Sequence, residues 1–401
     1  MLKKCDFYNV TYYVPALILV IFFVSEFISK ILKFNGGDFN RVSGLVKLVF
    51  EILILVYVFK RKKKNWRILI SVCLTFFVVY FLGHFFLFPR FSLNEFIVNI
   101  YSLNGYLFVF ILFYALKPQN LDDQKVLYFQ LRLVDKILKL IFITNSIAIL
   151  FGCVFSIDIF QTYPGTNGRF GYNGMFLHAS HSSYVYCIYI LYFYNEYLKN
   201  KIKENSLFLI VSIIMSFIVA TKTIFLFNFL FLSHILYKRF SLKIFLTIFS
   251  FVSGIIFISR VFIVEIFKSK FDILYQIYKE EGLITMIFST RNQSIPNDLI
   301  PYIREKWTWV NFLFGGSNFH IARTEIEIID LFWFFGLLGG AIYIYLIHGI
   351  LIRTFTENIE LRIPMLFLGL CAVFAGSFFT NAPVIPYFVV LVFQLKFTFN
   401  R

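Results

Sequence analysis

Residues 42–88 read VSGLVKLVFEILILVYVFKRKKKNWRILISVCLTFFVVYFLGHFFLF. Two apolar runs, 42–59 and 68–88, flank a basic cluster of Lys60, Arg61, Lys62, Lys63, Lys64 and Arg67. A helix needs roughly 20 apolar residues to cross about 30 Å of hydrocarbon, and short loops rich in Lys and Arg stay in the cytoplasm. This hairpin therefore sets both the solvent of the fold and its orientation.

Carried outward, the same ruler predicts about twelve spans, at 11–31, 42–59, 68–88, 96–116, 138–159, 177–198, 206–220, 224–237, 244–264, 325–351, 363–380 and 383–395. Thr221-Lys222-Thr223 interrupts a stretch too long for one helix. Asn381-Ala382-Pro383 divides the last apolar stretch, because proline removes a helical hydrogen bond. The first run follows Met1-Leu2-Lys3-Lys4 and continues to Ile31 with no small-residue cleavage site, so it reads as an uncleaved transmembrane helix. Alternation from the 60–67 loop puts both termini and the other basic loops inside. The predicted fold class is an all-α polytopic integral membrane protein. It forms a single transmembrane helical domain over 1–401, with a large outer loop at 265–328 before the tenth span.

Composition agrees. Of 401 residues 59% are hydrophobic and 15% charged, and the mean hydropathy is +0.77, which excludes an ordinary soluble globule. The net charge of +16 would also suit a nucleic-acid partner, but segment 265–328 holds seven Lys+Arg against eight Asp+Glu. The basicity is thus a positive-inside bias, and no nucleic acid is expected. Cys5, Cys73, Cys153, Cys187 and Cys371 lack CxxC spacing, which argues against a zinc cluster or a disulfide framework. No Walker loop, dinucleotide fingerprint, GxSxG or HExxH occurs in a suitable context, which disfavours a nucleotide-driven pump.

Ionisable groups near a bilayer are costly, so those gathered toward one compartment are functional candidates. Gly168-Arg169-Phe170-Gly171-Tyr172-Asn173-Gly174 precedes the sixth span, and its glycines would let backbone approach a ligand while Arg169 offers a planar fork of donors suited to phosphate. A turn with an interfacial arginine has the same sequence. Lys222 stands at a helix break, where it either binds an anion or snorkels to the interface. Arg291, in Phe288-Ser289-Thr290-Arg291-Asn292, follows a stretch from Phe267 to Ile287 spaced to lie on a membrane surface. Thr324-Glu325-Ile326-Glu327-Ile328-Ile329-Asp330 opens the tenth span. Thr324 with Glu327 fits a capping box, and three carboxylates in so short a run exceed what capping requires. His320 lies beside Gly315-Gly316 as a catalytic or merely solvated candidate. His178 and His181 share a helix face with no carboxylate at matching spacing, so no metal site is expected. Glu26 and Glu51, with Lys47, are candidates for pairing inside the bundle.

The layout resembles the O-antigen polymerase and O-antigen ligase superfamily of bacterial envelope glycosyltransferases. Over most of the chain the likeness is one of architecture: about twelve spans, a long outer loop before the tenth, an arginine-glycine loop before the sixth, and a basic residue between the seventh and eighth. The most specific part is Phe314-Gly315-Gly316-Ser317, then Thr324 to Leu331, then Phe335-Gly336-Leu337-Leu338-Gly339. Where ligases place a His-Asn pair this chain has Glu325, and the acidic Glu325-Ile326-Glu327 looks more like the polymerase branch. Thr221-Lys222 stands where the family usually carries Ser-Arg.

The resemblance implies an active site facing the periplasm from the bacterial inner membrane, with no cofactor and no metal. It implies a polyprenyl-diphosphate-linked oligosaccharide donor and transfer of its glycan to a sugar hydroxyl of a second lipid-linked unit. The bilayer and a chain-length regulator protein are the further partners it allows. Such chemistry needs a leaving diphosphate neutralised and an incoming hydroxyl deprotonated. Arg169, Arg291 and Lys222 are the expected diphosphate ligands, Glu325 the expected general base and Asp330 its runner-up, with Tyr172, Asn173, His320 and Glu327 as secondary candidates. Ligation of the glycan to a lipid A-core acceptor, and flipping or secondary transport of a lipid-linked glycan, are the alternatives.

Overall fold

The computed structural model describes residues 2–37, 42–87, 91–164, 170–200, 203–239, 272–288, 290–320, 323–357 and 359–397. Over these residues the chain is helical without a strand, apart from one isolated bridge between Gln161 and Tyr172. Helices α1 (Leu2–Phe34), α2 (Val42–Arg61), α3 (Lys63–His84), α4 (Leu93–Leu116) and α5 (Leu121–Phe155) run in succession. They are followed by α6 (Ala179–Asn200), α7 (Lys203–Val219) and α8 (Lys222–Arg239). The segment between α8 and α12 holds α9 (Asp272–Phe288), α10 (Ile300–Lys306) and α11 (Trp309–Phe314), and the last helices are α12 (Glu327–Glu357), α13 (Ile359–Ala375) and α14 (Ile385–Phe397).

Among the described residues six segments are long and apolar enough to cross a membrane: Tyr13–Phe34, Val42–Arg61, Lys63–His84, Leu93–Leu116, Asp123–Phe155 and Glu327–Ile350. Helices α2 and α3 leave Leu45, Val49, Ile52, Leu53, Leu74 and Phe77 exposed, an apolar face that lipid solvates and water would not. Helix α6 is the opposite case. From Tyr184 to Phe193 every side chain is buried, as expected of a helix that is apolar and aromatic all round. Two of its tyrosines place their hydroxyls on partners inside the bundle, Tyr184 donating to the Gly376 carbonyl at 2.8 Å and Tyr186 accepting from Asn145 at 3.2 Å.

Several predicted boundaries move. The fifth span, expected at 138–159, is the end of a helix that already starts at Leu121, where the Asn120 side chain caps it through the Asp123 N–H. The ninth, 244–264, lies outside the described residues. The seventh and eighth coincide with α7 and α8, separated at Ala220-Thr221. The last break is wider than Asn381-Ala382-Pro383: α13 ends at Ala375 because Gly376 (φ 67°) and Ser377 (φ 60°) turn left-handed, and α14 resumes only at Ile385. In the basic cluster, Lys62 is buried and serves as a cap. Its ammonium donates to the carbonyls of Ala115 and Lys117 at the end of α4 (2.8 and 3.0 Å), and burial pushes its pKa down to about 8 against the pull of Asp123.

The glycines read as motif residues bring three backbones into contact. Helix α12 kinks at Gly336 (φ 68°), and a Cβ there would lie 2.4 Å from the Gly315 nitrogen. A Cβ on Gly83 of α3 would lie 2.3 Å from the Phe314 carbonyl oxygen. Asn311 bridges the group by donating to the carbonyls of Gly83 and Gly315, at 2.6 and 2.9 Å. Gly336→Ala is therefore expected to lose about 1–3 kcal/mol from left-handed strain alone, with the clash added. Gly349→Ala, mid-helix with nothing within 4 Å, is the control and should be neutral or slightly stabilising. Thermal unfolding of the purified protein reads both, and equal midpoints would refute the packing argument.

Candidate functional site

Helix α9 delivers Arg291, and the turn at 323–326 delivers Glu325. Thr290 (φ 67°) and Glu325 (φ 54°) both occupy the left-handed region despite carrying side chains. So do Ala220 at the α7/α8 break and Ser377 at the α13/α14 break, leaving Ser156 as the fifth such residue among those described. Each such backbone costs about 1–3 kcal/mol and persists only where surrounding structure holds it, commonly at functional sites. Two of these turns nest directly: a Cβ on Gly376 would lie 1.8 Å from the Glu325 carbonyl oxygen, so only glycine fits there.

Arg291 bridges these turns. Its guanidinium pairs with the Glu325 carboxylate at 2.8 Å and donates to the Ala375 carbonyl at 3.1 Å. The pair is accessible, with the Arg291 and Glu325 side chains 33% and 53% exposed. Just inside it, Arg323 donates to Thr380 at 2.6 Å and pairs with Asp330 at 3.4 Å, and its guanidinium lies 5.3 Å from the Phe319 ring centroid. Burial opposes the Arg323 charge, but the acidic groups around it, Tyr106 first and then Asp330, outweigh burial and hold its pKa above the ordinary value. Arg323 and Thr380 were not among the residues expected from sequence.

The two carboxylates on α12 are structural anchors of this arrangement. Asp330 accepts from the Thr324 N–H at 2.9 Å and the Thr324 hydroxyl at 2.7 Å. Glu327 accepts from the Phe378 N–H at 3.0 Å, so its carboxylate ties α12 to the α13/α14 break. The expected capping box between Thr324 and Glu327 does not form, because Asp330 takes the Thr324 N–H.

No protein-family model, curated protein or solved structure matches this chain.

The remaining candidates divide. Lys222 donates to the Met286 carbonyl in the last turn of α9, so it borders the Arg291 segment with its ammonium engaged by backbone. Arg169 lies outside the described residues. Tyr172 and Asn173 belong to a loop packed on the α7/α8 break: the Tyr172 N–H donates to Ile218 at 2.9 Å, and the Asn173 side chain accepts from the Lys30 ammonium and donates to Phe176 at 2.9 Å. The glycines of that loop approach protein, Gly171 against Val219 and Gly174 against Asn145. His320 is exposed, and its N–H donates to the Asn318 side chain at 3.1 Å.

Lys47 and Glu51 pair inside the bundle as expected, at 3.6 Å, but Glu26 bonds His181, so a carboxylate from α1 does accompany the histidines. The rings of His178 and His181 are 4.9 Å apart. Among the described residues no three His, Cys, Asp or Glu side chains gather as a metal-binding group.

Proposed function

We propose that this chain is a polymerase of surface-polysaccharide repeat units, a metal-independent glycosyltransferase of the bacterial inner membrane. In this reading about twelve spans cross the bilayer, both termini are cytoplasmic, and the Arg291–Glu325 site opens to the periplasm. The observation that carries it is the accessible ion pair held between the turn at 323–326 and the α13/α14 break, with Arg323 beside it. A diphosphate needs cations at a fixed spacing, and guanidinium binds it bidentately at any ordinary pH. A hydroxyl acceptor needs a base, and Glu325 is within reach of the same arginine.

The pairing suggests an order of events. While Arg291 holds Glu325, the lone pairs of that carboxylate are committed. A donor diphosphate competes for the guanidinium, and its arrival releases Glu325 to accept the proton of the incoming sugar hydroxyl as the glycan leaves the diphosphate. Arg323, held by Asp330 and Thr380, supplies a second fixed positive charge at the moment the leaving group becomes more anionic.

Glu325→Gln is expected to abolish chain extension by the purified full-length protein on a lipid-linked repeat unit, read as chain-length distribution on a gel. Full polymerisation by that variant would remove Glu325 from the mechanism. The paired helix breaks at 220–221 and 376–384 favour a second reading, since broken helices also build transport sites. A deletion strain separates the cases. Single repeat units on the acceptor indicate a polymerase, outer-facing lipid-linked polymer without transfer indicates a ligase, and inner-face donor accumulation indicates a flippase.

A further inference from the structure

Helix α1 buries two opposite charges one turn apart, Glu26 at 0% and Lys30 at 5% exposure. They turn to different partners. Lys30 donates to the Asn173 side chain and to the Gly174 carbonyl at 2.7 Å. Glu26 Oε2 accepts the Leu177 N–H at 3.2 Å and bonds Nδ1 of His181, in the first turn of α6. Burying a charge is expensive even when it is paired, and joining helices to this loop does not require one. Asn145 of α5 holds the same loop with a neutral amide, through the Met175 N–H at 2.8 Å. The Glu26 carboxylate therefore does more than tie α1 to α6.

It fixes one histidine. Because Oε2 already accepts from Leu177, it is an acceptor toward His181 as well, so Nδ1 carries the proton and the lone pair of the neutral ring lies on Nε2. Nε2 makes no hydrogen bond among the described residues and is not sealed in, the side chain being 13% exposed. The exposed His178 ring stands beside it, with centroids 4.9 Å apart and planes at 77°. A carboxylate behind an imidazole, with the other nitrogen left open, is how proteins aim a histidine at a ligand. The same turn of α6 borders the Arg291–Glu325 site. Tyr184, three residues on and on the same helix face, donates to the Gly376 carbonyl at 2.8 Å, and Gly376 nests against Glu325. Ser183 bonds Thr221 at the α7/α8 break, at 2.6 Å.

The charge balance selects the class of ligand. Glu26 and Lys30 cancel, so a metal cation would meet the Lys30 ammonium and an anion would meet the Glu26 carboxylate, whereas a neutral hydroxyl needs only the lone pair. We propose that His181, held by Glu26, accepts a hydrogen bond from a non-reacting hydroxyl of the acceptor glycan and so places that sugar against the Arg291–Glu325 site. The identity of the hydroxyl ligand rests on the proposed function. Glu325 remains the group that takes the proton, and His181 is a binding residue that holds the sugar. A nitrogen aimed in this way also discriminates, because a sugar lacking the matching hydroxyl leaves it unpaired.

The test uses the purified full-length protein in detergent, with the lipid-linked repeat unit as probe. Diethyl pyrocarbonate labels accessible, unprotonated imidazole nitrogens, and mass spectrometry reads the extent at His181. The repeat unit is expected to protect His181, and polyprenyl diphosphate without a glycan is expected not to. Equal labelling with and without the repeat unit, or equal protection by the glycan-free lipid, would overturn the subsite. In chain extension, His181→Phe is expected to raise KM for the repeat unit roughly 2- to 10-fold, the effect of one hydrogen bond, with kcat kept. Glu26→Gln no longer dictates the tautomer and is expected to raise KM less. A purely structural tie would lower the thermal midpoint of both variants and leave KM unchanged, which would also overturn the proposal. Should His181→Phe not fold because it strands Glu26, the double variant with Glu26→Gln is measured in its place. Extension with His181 unprotected removes the subsite alone. Protection without extension keeps a glycan subsite and removes the polymerase reading, and absence of both removes the two together.

Discussion

Arg291→Ala is expected to slow glycan transfer by on the order of 10²-fold, the usual consequence of deleting one preorganised charge aimed at a leaving group. The loss should appear in kcat more than in KM, since the charge on the diphosphate grows as the glycan departs. Arg291→Lys keeps the charge and discards the planar fork, so it is expected to recover only part of the rate. Stability should change little, because the Arg291–Glu325 pair is accessible and such surface pairs contribute about 0–1 kcal/mol. Lys222→Met is the informative comparison. Its ammonium is engaged by the Met286 carbonyl, so its removal should disturb the α7/α8 break more than the chemistry. Unchanged chain-length distributions in Arg291→Ala at equal protein abundance would end the diphosphate assignment.

Arg323 makes a poorer first probe although it stands beside the same site. Its loss strands Asp330, which is completely buried, so folding and catalysis would fall together. The asymmetry between the two arginines is itself a feature of the arrangement. One cation is free to exchange partners at the surface, and the other is fixed to the scaffold that holds the site open.

Local signals in the sequence located some of this and missed the rest for identifiable reasons. The α7/α8 break was legible because Thr221-Lys222-Thr223 interrupts an apolar run, whatever the rest of the chain does. The α13/α14 break was read too late, at Pro383, because a glycine inside an apolar stretch is common in membrane helices and Gly376 gives no sign of its left-handed backbone. Thr324 and Glu327 have the spacing of a capping box, and the competing partner of Glu327 is the Phe378 N–H, 51 residues away. Arg323 drew no attention since its meaning depends on Thr380, at a separation of 57 residues. Hydropathy likewise marks only the apolar part of α5, so the polar turns from Leu121 onward were invisible to it. Long-range pairing, not local preference, decides each of these positions.

The second large effect concerns charges far from the reaction. Glu51→Leu alone is expected to destabilise the protein by about 3–5 kcal/mol, the cost of leaving a buried partner uncompensated. Lys47 and Glu51 are 1% and 3% exposed, and α2 presents both to α4. Their ammonium and carboxylate are 3.6 Å apart, Asn104 donates to Glu51 at 2.8 Å, and the Lys47 ammonium bonds the Asn104 carbonyl oxygen. The ammonium also lies 5.3 and 5.2 Å from the ring centroids of Tyr101 and Phe108. Each member engages the other two. Replacing all three with Lys47→Met, Glu51→Leu and Asn104→Leu removes the orphan along with the pair, and should cost little or even stabilise. Unfolding midpoints of the single and triple variants decide the matter: a triple variant as unstable as Glu51→Leu would mean that the triad contributes net attraction beyond its own desolvation. The comparison bears on the site because α4 also packs Tyr106 against Phe334 and Phe335 of α12, with ring centroids 5.5 and 5.2 Å apart, so a triad that fixes α4 against α2 helps fix the helix that carries Glu327 and Asp330.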